Sequence, residues 1–310
     1  MKDKKVVFMG TPSFAVPVLE ALIENTNVVG VVTQPDKEVG RKKILTPSKI
    51  KEVALKHNIK VLQPKKIRED YQDIIDLNPD IIVTCAYGQI IPKELIYYPE
   101  YDTVNVHASL LPKLRGGAPI EHAIIDGYQK TGITIMFTDP GMDSGDIISQ
   151  EEINIESNDT YDTLSNKLSL LGPKLLIKTL PSIFDKTCKR IKQNEEEVTY
   201  AYTIKREDEH IDFNKNTKEV INRIKGLSSV PGAYALLDDQ NVKIYDATLG
   251  NSRCGKNGEI INIYPNGIGV STNDGEIIIT KLQFPGKKVL NAKDYLNGIN
   301  KDNIIGKIFL

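Results

Sequence analysis

Residues 103–117 read TVNVHASLLPKLRGG, and this stretch decides how the chain around it must fold. Val104 and Val106 alternate with Asn105 and His107, the period of a β-strand, so the two polar side chains project from one face. Pro112, Gly116 and Gly117 stop the strand, and Pro119 stands where a first helical residue is favoured. Strand, turn and helix in this order belong to an α/β sheet, whose ligands bind in the crevice beyond the carboxyl ends of the strands. An Asn-x-His pair at a strand end is also an ordinary hydrogen-bonded loop entry, so the pair alone does not define a site.

The chain before this stretch repeats the pattern. Residues 5–9 are an apolar run broken by Gly10 and Pro12, and Phe14, Val18, Leu19 and Leu22 recur at helical spacing. GTPSFAVP is not G-x-G-x-x-G, and Pro12 removes a backbone donor, which sets aside a dinucleotide site there. Residues 28–33 read as a strand and 34–45 as a polar loop. Thr46 and Pro47 read as N-cap and first turn of a helix running to His57. Residues 60–62 read as a short strand, 71–77 and 90–95 as helical, and 80–86 as a strand apolar enough to be covered on both faces. Beyond residues 103–117, strands are expected at 132–137 and 146–155. A leucine-rich helix follows, which Gly172 and Pro173 should bend or split.

The expected fold is therefore a doubly wound, mostly parallel α/β sheet over residues 1–185. A polar linker follows over 186–207, and then a small unit at 208–310. Five short strand-like runs, with Asn266-Gly267 and Asp274-Gly275 between some of them, suggest a small barrel of the oligonucleotide-binding type there. Composition bounds the rest. The chain has 310 residues and net charge −1, so contact with a polyanion must be local. Cys85, Cys188 and Cys254 lie far apart, which argues against a disulfide framework or zinc ribbon, and no apolar run is long enough for a membrane span. A reducing cytoplasm and a single-chain working unit are expected.

Read as one string, Asn105, His107, Ser109, Leu110, Leu111, Pro112, Arg115 and Gly116 form N-x-H-x-S-L-L-P-x-x-R-G. This resembles the fingerprint of the formyltetrahydrofolate-dependent transformylases. FMGTPSFAVPVLEAL at residues 8–22 is similar to the opening of the branch whose acceptor is methionine on initiator tRNA. The resemblance implies 10-formyltetrahydrofolate as co-substrate, charged initiator tRNA as partner, and no metal. A sugar-nucleotide formyltransferase, a formyltetrahydrofolate hydrolase and a non-catalytic RNA-binding protein are the alternatives.

Formyl transfer between nitrogens passes through an oxyanion. Asn105 and a protonated His107 can donate to it, and a carboxylate can tune the imidazole and take up a proton. Asp139, Asp143 and Asp146 in TDPGMDSGD compete for that last part, with a solvated turn or a cation site as other readings of the loop. The resemblance places the catalytic carboxylate at Asp143. It places the folate pocket at Ser109, Leu110, Leu111 and Pro112, with Tyr87 and Gly88 beside it, although by physics Leu110 and Leu111 are equally core leucines. Residues 37–51 carry Lys37, Arg41, Lys42, Lys43, Lys49 and Lys51 against Glu38 alone, the basic loop expected to meet tRNA through Arg41, Lys42 and Lys43. An exposed basic run is also simply a solvated loop.

Overall fold

In the computed structural model, which describes residues 1–40, 43–251 and 255–310, the chain divides into two compact units. One comprises Met1–Pro119, Lys130–Asn154 and Ser165–Tyr202; the other comprises Ile120–Gln129, Ile155–Leu164 and Thr203–Leu310. The division is not one cut in the sequence.

The first unit is built on β1 (Lys5–Gly10), α1 (Val16–Asn25), β2 (Asn27–Val32), β3 (Lys37–Val39), β4 (Ile44–Thr46), α2 (Lys49–Lys56) and β5 (Val61–Leu62). It continues with α3 (Gln72–Ile75), β6 (Ile81–Cys85), α4 (Lys93–Ile96) and β7 (Thr103–His107). Along the chain come next α5 (Pro119–Ile125), assigned to the second unit from Ile120 on, then β8 (Lys130–Phe137), β9 (Ile147–Asn154) and α6 (Tyr161–Phe184), assigned to the first unit from Ser165 on. A seven-stranded sheet has the order β5-β2-β1-β6-β7-β8-β9. Its first five strands are parallel, and β7-β8 and β8-β9 are antiparallel. Burial explains the composition: Val6 to Met9 and Ile81 to Val83 are fully buried, as strands sandwiched between helices must be. Cys85 is likewise buried, which pushes its thiol up to about 12.

Three local expectations are corrected. The polar loop at 34–45 contains a two-stranded hairpin, β3 with β4, pairing Lys37 with Thr46 and Val39 with Ile44. The cap of α2 is Ser48, whose hydroxyl accepts from the Lys51 amide, so the helix starts two residues later than Thr46-Pro47 suggests. Gly172 and Pro173 do not split α6, which runs unbroken for 24 residues. A methyl at Gly172 would lie 3.2 Å from Val106 Cγ1, with Val18 and Ile133 also in contact. Glycine there lets the helix approach the sheet closely.

The second unit contains α7 (Thr217–Gly226), β10 (Ala233–Leu237), β11 (Gln240–Leu249), β12 (Ile260–Tyr264), β13 (Gly267–Ser271), β14 (Glu276–Gln283), β15 (Leu290–Asn291) and α8 (Ala292–Asn297). Its antiparallel sheet has the order β10-β11-β14-β13-β12, with β15 on β14. Helix α7 is capped by Asn216, in a capping box with Glu219. Two tight hairpin turns are Pro265-Asn266, between the paired Tyr264 and Gly267, and Asp238-Asp239, with φ of 50° and 61°, a pairing of left-handed residues that asparagine-like side chains tolerate. Residues 306–310 run beside both sheet edges: Leu310 and Leu236 exchange backbone hydrogen bonds at 2.7 and 2.8 Å, and Phe309 donates to Gly258 at 2.8 Å.

Candidate active site

Strand β7 carries Asn105 and His107 on one face, as its alternation requires. Parallel pairing sets Asn105 beside Thr84 of β6, and antiparallel pairing sets His107 beside Thr134 of β8. Thr84 is buried and donates its hydroxyl to Asn105 Oδ1 at 2.7 Å. The amide is thereby oriented: its oxygen is engaged, and no described residue accepts from its Nδ2.

His107 is 5% exposed, and its Nε2 meets the Leu114 carbonyl at 3.0 Å. A carbonyl only accepts, so Nε2 carries a hydrogen, and Nδ1 is the nitrogen left to exchange a proton with a substrate. Nδ1 faces Asp143 Oδ2 at 3.7 Å, close enough for an ion pair and too long for a direct hydrogen bond. Leu114 thus occupies Nε2, and Nδ1 is the nitrogen turned toward Asp143.

The three aspartates separate by what they touch. Asp139 accepts from the Gly141 amide at 3.1 Å and from Ser144 Oγ at 2.8 and 2.9 Å, so it ties its own loop. The Asp146 carbonyl accepts from the Phe137 amide at the base of the same loop. Asp143 alone of the three comes within ion-pair distance of His107, and its Oδ2 also accepts from the Gly116 amide at 2.9 Å. Asp143 sits at φ 49°, a left-handed conformation that Asp accepts more readily than most residues. An added Cβ at Gly145 would run into the Phe137 carbonyl, so that position must stay glycine.

The proposed folate residues are distributed as follows. Leu111-Pro112 is a cis peptide. Its turn is held by Thr134, whose hydroxyl donates to the Ser109 carbonyl at 2.7 Å and accepts from the Leu111 amide at 3.2 Å. Gln150 donates to the Leu111 carbonyl at 2.8 Å. Ser109 is fully buried and donates to the Lys113 carbonyl at 2.6 Å, and Leu111 packs with Met136 and Ile147, while Leu110 and Pro112 are half-buried. The Tyr87 ring belongs to the core with Val7, Met9 and Ile82, and burial pushes its phenol up to about 12. Gly88 is exposed at φ 88°.

In the basic segment, Arg41 and Lys42 lie outside the described residues. Lys43 is exposed, with its amide donating to Gly40. Lys51 is engaged by Asp36 at 2.7 Å and Gln63 at 2.8 Å, and Lys49 by Glu52 at 2.8 Å, so fewer cations face outward than the run suggests.

Sequence reading did not single out Gln193 or Thr199, both in the stretch expected to be linker. Thr199 Oγ1 accepts from the Leu114 amide at 2.9 Å, steadying the residue whose carbonyl holds His107. Gln193 Nε2 donates to the carbonyls of Asp143 and Gly145, each at 2.8 Å. Arg115 is 3% exposed; it donates from Nε to Gln193 Oε1 at 2.9 Å and pairs with Glu195 at 2.8 Å, which holds that carboxyl below its usual range. The sequence signal for Gln193 and Glu195 was Arg115 of the fingerprint, whose guanidinium needs acceptors once buried; nothing in the sequence signalled Thr199.

A formyl transferase family model matches residues 4–180, and a formyl transferase C-terminal domain model matches 203–300. The chain is 48% identical over 307 residues to a methionyl-tRNA formyltransferase of Staphylococcus aureus strain MW2, covering 98% of each chain. Among solved structures, an N-formyltransferase of Helicobacter canadensis in complex with folinic acid and dTDP-3-aminofucose superposes with a TM-score of 0.65 at 24% identity, covering 89% of this chain and 98% of the other. A methionyl-tRNA formyltransferase of Clostridium thermocellum superposes with a TM-score of 0.56 at 19% identity, covering 81% and 95%. With both family models in order along it and near-half identity to a full-length relative, the chain belongs to the formyl transferases, in the methionyl-tRNA formyltransferase family.

Proposed function

We propose that the protein transfers the formyl group of 10-formyltetrahydrofolate to the amino group of methionine on initiator methionyl-tRNA, the step that prepares that tRNA for translation initiation. One observation carries the reading: His107 faces Asp143 at 3.7 Å, two residues along one strand face from Asn105, in a chain 48% identical over 307 residues to a methionyl-tRNA formyltransferase.

The chemistry follows from the geometry. The methionine amine attacks the formyl carbon, the carbonyl electron pair moves onto oxygen, and a tetrahedral intermediate forms. Asn105 Nδ2, turned outward by Thr84, donates to that oxygen. The proton lost from the amine passes to His107 Nδ1, and Asp143 stabilises the imidazolium that results. Collapse breaks the bond to the folate nitrogen, which takes a proton as tetrahydrofolate leaves. The folate would lie against the turn of Ser109, Leu110, Leu111 and Pro112, with Tyr87 and Gly88 at its margin. Structures of the fold that hold formyl-folates support that class of co-substrate.

Residues 1–185 would be the catalytic part, 186–207 the linker, and 208–310 a tRNA-binding barrel of the oligonucleotide-binding type. The bonds from residues 306–310 to Leu236 and Gly258 support closure of that sheet. Arg41, Lys42 and Lys43 would contact the tRNA, and the enzyme would work as a cytoplasmic monomer. No described helix is long and apolar enough to cross a membrane.

The test incubates the protein with 10-formyltetrahydrofolate and, in separate arms, charged initiator tRNA, a panel of amino-sugar nucleotides, or buffer. Formyl-methionine on tRNA, with tetrahydrofolate released in that arm alone, is expected. Formylation of a sugar nucleotide, or tetrahydrofolate release in buffer, would replace this reading.

A further inference from the structure

Sheet pairing leaves the position of Asp143 undetermined. Strand β8 runs antiparallel to β7, so Val104 pairs with Phe137, and the Thr138 amide donates to Thr103. The loop bearing Asp143 thus departs from the end of β7 opposite His107, and it must come back along the strand to reach the imidazole. An excursion of that kind, with its aspartate in a left-handed conformation, needs an outside hold.

Gln193 supplies it. Residue 191 pairs with Ile147 at the foot of β9 through two backbone hydrogen bonds of 2.8 and 2.9 Å, which fixes the chain just before the glutamine. Arg115 takes the Gln193 oxygen, so the amide is oriented, and both Nε2 hydrogens go to the loop, one to the Asp143 carbonyl and one to that of Gly145. We infer that Gln193 is a positioning residue for formyl transfer, acting through Asp143 by clamping its backbone so that the carboxylate faces His107 Nδ1. The inference rests on the catalytic reading of Asp143 given above.

Gln193→Met keeps the length and loses the donors. Gln193→Glu keeps an acceptor for Arg115 and turns an oxygen toward two carbonyls. Both should lower kcat about tenfold or more, because small displacements of a reacting group are costly, while KM for 10-formyltetrahydrofolate stays within about twofold. Thermal denaturation of each variant reports whether the fold is intact. A double-mutant cycle makes the assignment: on an Asp143→Asn background, Gln193→Met should cost less than about twofold more, since the group it positions is already disabled.

Normal kcat in Gln193→Met and Gln193→Glu, with Asp143→Asn impaired, overturns the inference and leaves the catalytic reading standing. Additive losses in the cycle overturn it as well, as does a rise in folate KM that accounts for the loss. Full turnover in Asp143→Asn removes the reading of the site and the inference with it.

Discussion

Thr84 donates its hydroxyl to Asn105 Oδ1 at 2.7 Å across the parallel β6-β7 pairing, and this bond decides which end of the amide faces outward. Thr84→Val keeps the shape and removes the bond. A net hydrogen bond contributes about 1 kcal/mol, so turnover should fall roughly fivefold as the amide begins to rotate. KM for folate should not change. Steady-state kinetics of Thr84→Val and Asn105→Ala side by side check this, and an unaffected Thr84→Val would mean that the strand alone orients the amide.

Asn105→Ala should cost on the order of a hundredfold in kcat, as loss of one oxyanion donor does elsewhere. His107→Ala should cost at least as much, on the order of a hundredfold or more, because it removes the proton acceptor. His107→Gln is informative beside it: it can still reach the Leu114 carbonyl but cannot take a proton. If His107→Gln retains near-normal turnover, proton transfer is not the function of the imidazole.

Asp143→Asn and Asp139→Asn should behave differently. The first removes the charge facing His107 and should depress kcat/KM steeply and flatten its pH dependence. The second weakens bonds within the loop, to Gly141 and Ser144, and should act chiefly by lowering thermal stability. Equal kinetic losses in the two variants would reduce Asp143 to one more strut of the loop.

Glu121 in α5 tests linkage. Burial raises its pKa above the ordinary carboxylate value, opposed in part by a bond to its own backbone and by His122. A raised folded pKa means that the folded state binds the proton more tightly. This carboxyl therefore costs stability as pH rises from its unfolded pKa through its folded pKa, and the loss persists above. Glu121→Gln should raise Tm by about a degree or more at pH 7.5 and by less at pH 4. Melting curves at the two pH values decide, and an equal shift at both would assign the effect to packing.

For the acceptor, replacing Arg41, Lys42 and Lys43 together with alanine should raise KM for charged tRNA. The log–log salt slope should become shallower by roughly 0.7–0.9 for each phosphate that the chain no longer neutralises. Folate KM should remain as it was. A salt series that superposes on that of the parent protein would locate the RNA-binding surface elsewhere on the chain.

Much of the site could be read from the sequence because it is local. Asn105 and His107 share a face by strand period alone, and the fingerprint from Ser109 to Gly116 is contiguous. What escaped the sequence is what packing supplies from a distance. Gln193 lies 50 residues from Asp143, and Thr199 lies 85 residues from Leu114, in a segment whose composition matches any solvated linker. The β3-β4 hairpin was hidden because its strands are short and exposed, with Ile44 and Leu45 at 61% and 64% exposure and no buried face to impose alternation. Helix α6 passes through Gly172-Pro173 because the glycine is wanted where the helix meets Val106, a close approach that no local propensity signals.

The interleaving of the two units bears on any attempt to dissect the protein. A fragment beginning at Thr203 would include every strand of the antiparallel sheet but would lack Ile120–Gln129 and Ile155–Leu164. Gly226 would be without Ile125 beside it, Lys225 without the Ser157 carbonyl at 2.8 Å, and the Ser229 amide without Asp162 at 3.1 Å. Failure of such a fragment to bind RNA would therefore measure a wound in its scaffold. Mapping of the acceptor surface in this chain belongs to point substitutions or cross-linking in the intact molecule.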